Sequence, residues 1–280
     1  MAARRATIKR NHKTQSAKSE EVNFSDQIKG EGEKSIYFQT DYNDSLSISP
    51  SKKAKLKSER NGLPLTKLDR SFYDRPTEVL AKQLLGKLLY RVLDNGEVLC
   101  GRIVETEGYL GEVDKACHSF GGKRTARTEP VYMAPGTAYV YIIYGMYHCL
   151  NISSQEPGAC VLIRALEPLQ GMNCMKSFRG VRRRDGGSKL KDHELNNGPS
   201  KLCQALCIEK ANLNKEDIST SERLWIEEDK DYQMKDITVV TSTRIGIDPS
   251  KLEWALKPLR FYILGNKCVS VRDKKAESEL

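Results

Sequence analysis

Two strand-like runs, Leu88 to Leu93 and Val98 to Val104, flank Asp94-Asn95-Gly96. An Asn-Gly pair tolerates the positive φ that a tight hairpin turn demands, so an antiparallel pair is expected at this point in the fold. Further runs rich in β-branched and aromatic residues follow at Ala138 to Ile152, Ala159 to Leu166, Ser221 to Ile226, Ile237 to Ile247 and Leu259 to Leu264. Helical signals are fewer. Asp74-Arg75-Pro76-Thr77-Glu78 opens a helix whose apolar face is Val79, Leu80, Leu84 and Leu85 and which Gly86 ends, and a short helix is expected around Leu202 to Ile208. Strands outnumber helices, so the expected fold class is α+β: one mixed domain around a curved antiparallel β-sheet with peripheral helices.

The domain is expected over residues 68–272, after a disordered basic tail (1–67) and before a flexible C-terminus (273–280). The tail holds 14 Lys and Arg against 8 Asp and Glu, +6 of the formal net charge of +9, with no sustained apolar period. Clusters such as Arg4-Arg5, Lys9-Arg10 and the run from Lys52 to Lys57 suit a polyanion, and equally a solvated tail. No stretch has the ~18 consecutive apolar residues of a membrane span and no secretory leader is evident, so a soluble intracellular protein is expected. The lysine cluster fits the nucleus, and an acid-free first 19 residues fit the mitochondrion as second choice. Eight scattered cysteines form no C-x-x-C pair, and Cys203 and Cys207 read as core thiols rather than metal ligands. No metal and no cofactor are expected: carboxylates are too sparse for a magnesium site, and no phosphate or dinucleotide loop appears.

The chemistry-bearing residues concentrate between Glu105 and Arg164. Glu107 is expected at the exit of the second strand, where a sheet holds a side chain that faces a cleft. A lone carboxylate there can take a proton from water and stabilise positive charge developing on a sugar. The same residue also reads as an exposed strand-end carboxylate paired with Arg102 or Lys115, and Glu105, two residues earlier, can exchange roles with it. Arg164 sits in an apolar strand and needs a partner, either Glu107 or a phosphate. Tyr109, Tyr141, Tyr144 and Tyr147 can stack on bases at ~1 to 3 kcal/mol each. Tyr139 and Tyr147 read as ordinary sheet residues, whereas Tyr144, before Gly145-Met146 at a turn, can project as a wedge. His118 reads as a base or water contact or as a structural histidine, and Asn151 as a purine reader or a turn cap. The glycine-bearing basic stretch at 121–127 reads as a phosphate holder or as a mobile loop, and the stretches at 179–187 and 196–200 suit a DNA backbone.

Taken together, Gly101 to Gly111, Tyr139 to Ser154, Gly158 to Pro168, Gly198 to Leu206 and Lys257 to Tyr262 closely resemble the alkyladenine (3-methyladenine, or N-methylpurine) DNA glycosylases, over about Leu68 to Val271. The resemblance implies Glu107 as general base, with Arg164 and the backbone carbonyl of Ile245 holding the water. It implies a base pocket of Tyr109, Ala116, His118, Tyr141 and Asn151, the last excluding guanine by its exocyclic amine, with Tyr144 replacing the flipped nucleotide and Met146 pressing on the opposite strand. It also implies a monomer acting on duplex DNA that carries 3-methyladenine, 7-methylguanine, hypoxanthine or ethenoadenine, and handing abasic sites to downstream repair proteins. No lysine takes a position suited to a Schiff base, so a monofunctional enzyme is expected. Gly108 departs from the alanine common at that position and loosens the backbone beside Glu107. Two other readings compete: a module that binds distorted duplex without cutting it, and an RNA-base hydrolase.

Overall fold

The structure, a computed structural model, describes residues 67–230, 232 and 237–280. The expected basic tail, apart from Lys67, lies outside the described residues. Lys67 already belongs to the domain, forming a β-bridge with Glu227. In chain order the elements are α1 (Arg70–Tyr73), α2 (Thr77–Gln83), β1 (Leu88–Val92), β2 (Val98–Tyr109), β3 (Ala138–Ile143), β4 (Tyr147–Ser153), β5 (Cys160–Gln170), α3 (Met172–Gly180), α4 (Pro199–Ala205), α5 (Lys210–Leu213), β6 (Leu224–Glu227), β7 (Val239–Ser242), α6 (Leu252–Ala255), β8 (Arg260–Ile263) and α7 (Lys274–Ser278), with short 3-10 turns between them.

Every strand pairing is antiparallel, and the eight strands form one curled sheet in the order β3-β4-β5-β2-β1-β6, with β8 joining β2 to β7. This is the α+β architecture expected from the sequence. Twelve-residue β2 is its axis. One edge of β2 pairs with β5 along its length, while the other pairs first with β1 and then, at Glu105 to Glu107, with β8. The register with β5 shifts on both sides of Glu105: Ile103 faces Leu166, Glu105 faces Ala165 and Thr106 faces Ile163, which leaves Val104 and Arg164 without cross-strand partners. Such bulges bend a strand and re-aim its side chains.

This pairing corrects the expectation for Glu107. The strand does not end at Val104 but continues to Tyr109, and Glu107 is fully buried between β5 and β8. Its partner β8 lies more than 150 residues away, so local sequence carried no sign of it.

The apolar face of α2 explains how this half of β2 is covered. Leu80, Ala81, Leu84 and Leu85 are fully buried, and each leucine contributes roughly 1.5–3 kcal/mol by leaving water. The Thr106 hydroxyl donates to the Ala81 carbonyl at 2.8 Å. Gly86 follows with φ 81°, and a Cβ there would meet Ile237 at 2.7 Å, so both backbone and space require glycine. At the far end, where a flexible terminus was expected after residue 272, α7 forms with its amide of Ala276 capped by Asp273. Glu277 accepts from the Tyr262 hydroxyl at 3.1 Å and pairs with Arg272. Among the described residues no helix is long and apolar enough to cross a membrane.

Candidate active site

Two carboxylates and two arginines interlock behind the β2 bulge. Glu107 Oε1 accepts the Ile245 amide N–H at 2.7 Å and faces Arg164 Nη1 at 3.0 Å, while Oε2 accepts the Tyr109 hydroxyl at 2.9 Å. Glu105 Oε1 accepts from Arg164 Nε and Arg260 Nη1, both at 3.0 Å, and its Oε2 accepts the Ser270 amide at 2.7 Å. All four side chains are buried. Burial opposes the charge of Arg164, but the two carboxylates outweigh it and raise its pKa above the usual arginine value. Removing one member of such a lattice strands a buried charge, so each holds the others in place. Arg102, a possible partner for Glu107 on sequence grounds, instead ties to Glu167 at 2.7 Å and Asp229 at 2.8 Å.

Tyr109 connects this lattice to a cleft of about 590 Å³, counted out to its open mouth. The cleft is lined by Tyr109, Ala116, Cys117, His118, Val131, Tyr139, Tyr141, Asn151, Cys160, Gly246 and Ile247. Glu107 is not on its wall but one hydrogen bond behind it. Tyr139 and Tyr141 project from the same face of β3, their ring centroids 5.2 Å apart, and the His118 ring meets Tyr141 edge-on at 4.8 Å. The Asn151 amide donates to the Tyr139 carbonyl at 3.1 Å, which fixes that side chain at the floor. Ala116 is set by its N–H bonding Asp114 Oδ1 at 2.9 Å.

His118 is held at both ring nitrogens. Its Nε2 accepts from Arg127 at 3.2 Å, which leaves the proton on Nδ1 to donate to the Tyr139 hydroxyl at 2.9 Å. Burial, then the charges of Arg127, Lys251 and Lys123, pull its pKa down to about 4, so the ring is neutral at physiological pH. Burial and the neighbouring Glu107 charge push the Tyr109 hydroxyl well above its ordinary value, which keeps it a donor.

Beyond the cleft, the β3–β4 hairpin ends in Tyr144-Gly145-Met146. Tyr144 and Gly145 take φ of 51° and 69°, and the Met146 amide closes the turn on the Ile143 carbonyl at 3.2 Å. Positive φ is a strained state for a tyrosine. Its side chain is 86% exposed and that of Met146 50%.

The sequence pattern defining the methylpurine-DNA glycosylase family matches residues 71–267, which takes in both carboxylates, their arginines, the cleft and the hairpin tip. The chain belongs to this family. It is similar to the DNA-3-methyladenine glycosylase of Homo sapiens, 50% identical over 216 residues, or 77% of this chain and 72% of the human protein. The Mus musculus protein of the same name is 50% identical over 212 residues, 75% of this chain and 63% of that protein. A putative 3-methyladenine DNA glycosylase of Clostridium perfringens is 48% identical over 210 residues, 73% of this chain and 98% of the bacterial protein. Membership makes the chain a DNA-repair glycosylase, a hydrolase of N-glycosidic bonds.

Within this glycosylase the structure brings together Glu107, Arg164, Ile245, Tyr109, His118, Tyr141, Asn151 and Ala116, and places Tyr144 and Met146 apart on the hairpin. Ile245 touches Glu107 through its amide, whereas the resemblance assigns a task to its carbonyl. Tyr139 is not the ordinary sheet residue expected but a wall of the cleft, and its two-residue spacing from Tyr141 was the available signal. Arg127, read as part of a phosphate loop, turns back onto His118 and lies 5.3 Å over the Tyr141 ring. Asp114, Arg244 and Arg260 had no local signal, because apart from the turn amides of Asp114 their hydrogen-bond partners lie between 10 and 155 residues away.

Proposed function

We propose that this glycosylase is monofunctional, that it flips alkylated or deaminated purines out of duplex DNA into the Tyr109–Tyr141 cleft, and that it hydrolyses their N-glycosidic bond with water activated by Glu107. The observation that carries this reading is the Tyr109 hydroxyl, which links an aromatic cleft of base-accepting chemistry directly to a buried, donor-surrounded carboxylate. The relatives' names suggest 3-methyladenine as a substrate, and the sequence resemblance adds 7-methylguanine, hypoxanthine and ethenoadenine.

In this reading the bond from C1′ to the purine nitrogen breaks with its electron pair leaving on the base. Water attacks C1′ and gives its proton to Glu107, whose negative charge also steadies the cationic sugar. Arg164 and the carbonyl of Ile245, a residue already anchored on Glu107 through its amide, orient the water. Tyr109 stacks on one side of the base, Tyr141 and the neutral His118 on the other, the Ala116–His118 backbone bonds its edge, and Asn151 rejects the guanine amine. Tyr144 fills the vacated stack and Met146 presses on the facing strand, which offsets the few kcal/mol that flipping costs. The products are a free base and an abasic site for later repair proteins, no cofactor takes part, and the protein works as a monomer. The basic clusters favour action in the nucleus, with the mitochondrion second.

The test is single-turnover base release from a duplex with one hypoxanthine and from methylated duplex DNA, comparing the wild type with Glu107→Gln. Loss of about 10³-fold or more in the variant, with lesion binding retained, is the expected result, since the change removes a proton acceptor and keeps its shape. Equal release by both would move the base to Glu105. Tight binding without release by either would instead favour the non-catalytic distorted-DNA reader, and trapping of a protein–DNA adduct by borohydride would overturn the monofunctional assignment.

A further inference from the structure

Tyr109 needs something other than its hydroxyl to hold the plane of its ring, and behind it lies a second buried ion pair that the mechanism above leaves unused. Arg244 and Asp114 are 5% and 0% exposed. Their pairing is bidentate: Arg244 Nη1 meets Asp114 Oδ2, and Nη2 meets Oδ1 at 3.1 Å. The same guanidinium donates to the Gly108 carbonyl at 3.0 Å, between Glu107 and Tyr109 in the chain, and to the Trp254 carbonyl at 3.1 Å. It lies over the Tyr109 ring, 4.7 Å from the centroid. Among the described residues its Nε–H has no acceptor, so the group is oriented by Asp114, two backbone carbonyls and the ring face.

Asp114 spends its remaining capacity on the loop that forms the cleft. Its Oδ2 accepts the Leu110 amide at 3.1 Å and its Oδ1 the Ala116 amide at 2.9 Å. On the other side, Arg244 immediately precedes Ile245, whose amide bonds Glu107, and Gly246 and Ile247, which line the cleft. One ion pair thus joins three things: the ring of Tyr109, the Leu110–Ala116 loop and the segment that grips the general base.

We infer that Arg244 and Asp114 are positioning residues for base excision, setting the Tyr109 ring and the Ala116 edge against Glu107 so that a base gripped in the cleft presents its glycosidic bond to the carboxylate. The inference rests on the glycosylase reading above. A displacement of about 1 Å in such a constellation can cost on the order of 100-fold in rate. Arg244→Lys keeps the positive charge but loses the two-pronged pairing and the flat ring contact, because an ammonium is a point charge rather than a planar fork.

A double-mutant cycle tests it, using single-turnover release of methylpurines from methylated duplex DNA by the full chain. Arg244→Lys in the wild-type background should lower the rate about 10- to 100-fold, with affinity for undamaged duplex within about twofold. In a Tyr109→Leu background the same substitution should cost less, because the part of its effect that runs through the ring is gone. Equal losses in both backgrounds would overturn the inference, since the pair would then not act through the Tyr109 ring. Should Arg244→Lys fail to fold by circular dichroism, Asp114→Asn, which keeps an acceptor for Ala116, replaces it in the same cycle with the same criterion. Wild type without release from methylated DNA would sink the glycosylase reading itself, and the inference with it.

Discussion

The lattice around Glu107 and the tip at Tyr144 are built on opposite plans. Glu105, Glu107, Arg164 and Arg260 are buried, and their carboxylates and guanidiniums engage one another and the backbone. Tyr144 is exposed, held in positive φ and given no role in packing its own protein. In the proposed reading, a carboxylate that must aim water at one carbon atom benefits from over-determination, since misplacement lowers the rate. A wedge benefits from the reverse: a ring that stacks on nothing at home is available to stack on bases.

Breaking the lattice should produce the largest effect. Arg164→Met removes a charge that two buried carboxylates share, and a loss of about 3–5 kcal/mol in folding stability is expected by denaturant unfolding. The same experiment on the tip should give a near-opposite outcome. Tyr144→Ser should leave the melting temperature unchanged while weakening flipping by about 1–3 kcal/mol, seen as a loss of lesion over undamaged-duplex affinity. Tyr144→Gly should go further and raise stability by about 1 kcal/mol through relief of positive φ, at the same functional cost.

The cleft stands between these extremes and should show it through pH. His118 titrates near 4 in the fold, against 6.5 for a free histidine. The unfolded chain therefore binds the extra proton between these values, so stability is full above about 6.5 and falls as pH drops toward 4. A His118→Gln variant should flatten that slope in urea unfolding curves taken from pH 7 to pH 4. The smallest effect belongs to Gly108→Ala. A Cβ there would meet Thr77 Cγ2 at 3.4 Å, an ordinary contact, and its φ is not positive. Its N–H bonds the Leu259 carbonyl at 2.8 Å and its carbonyl accepts from Arg244 at 3.0 Å, so glycine does not loosen this segment. Stability and excision should stay within about 0.5 kcal/mol of the wild type.

How much of this was legible in the sequence depends on range. The Asn-Gly hairpin, the α2 face apart from the exposed Val79, and the aromatic β3–β4 run declared themselves because each is built from neighbours. Glu107, Arg164 and Tyr144 stood out by residue type and setting, and the resemblance supplied the roles proposed for them. What was hidden is long-range: the extension of β2 past Val104 depends on β8, Tyr139 became a cleft wall only once His118 folded over it, and Asp114 and Arg244 meet across 130 residues. Residue spacing announces which face a side chain takes, but not which distant segment will arrive to meet it.

Tyr109 carries one further consequence. In the proposed reading a single side chain is both a wall against which a base is judged and a hydroxyl tied to the carboxylate that activates water. A lineage adapting this pocket to a new lesion therefore cannot freely exchange that ring, and divergence in lesion choice should accumulate at Ala116, Cys117, Val131 and Ile247, which line the cleft without bonding Glu107.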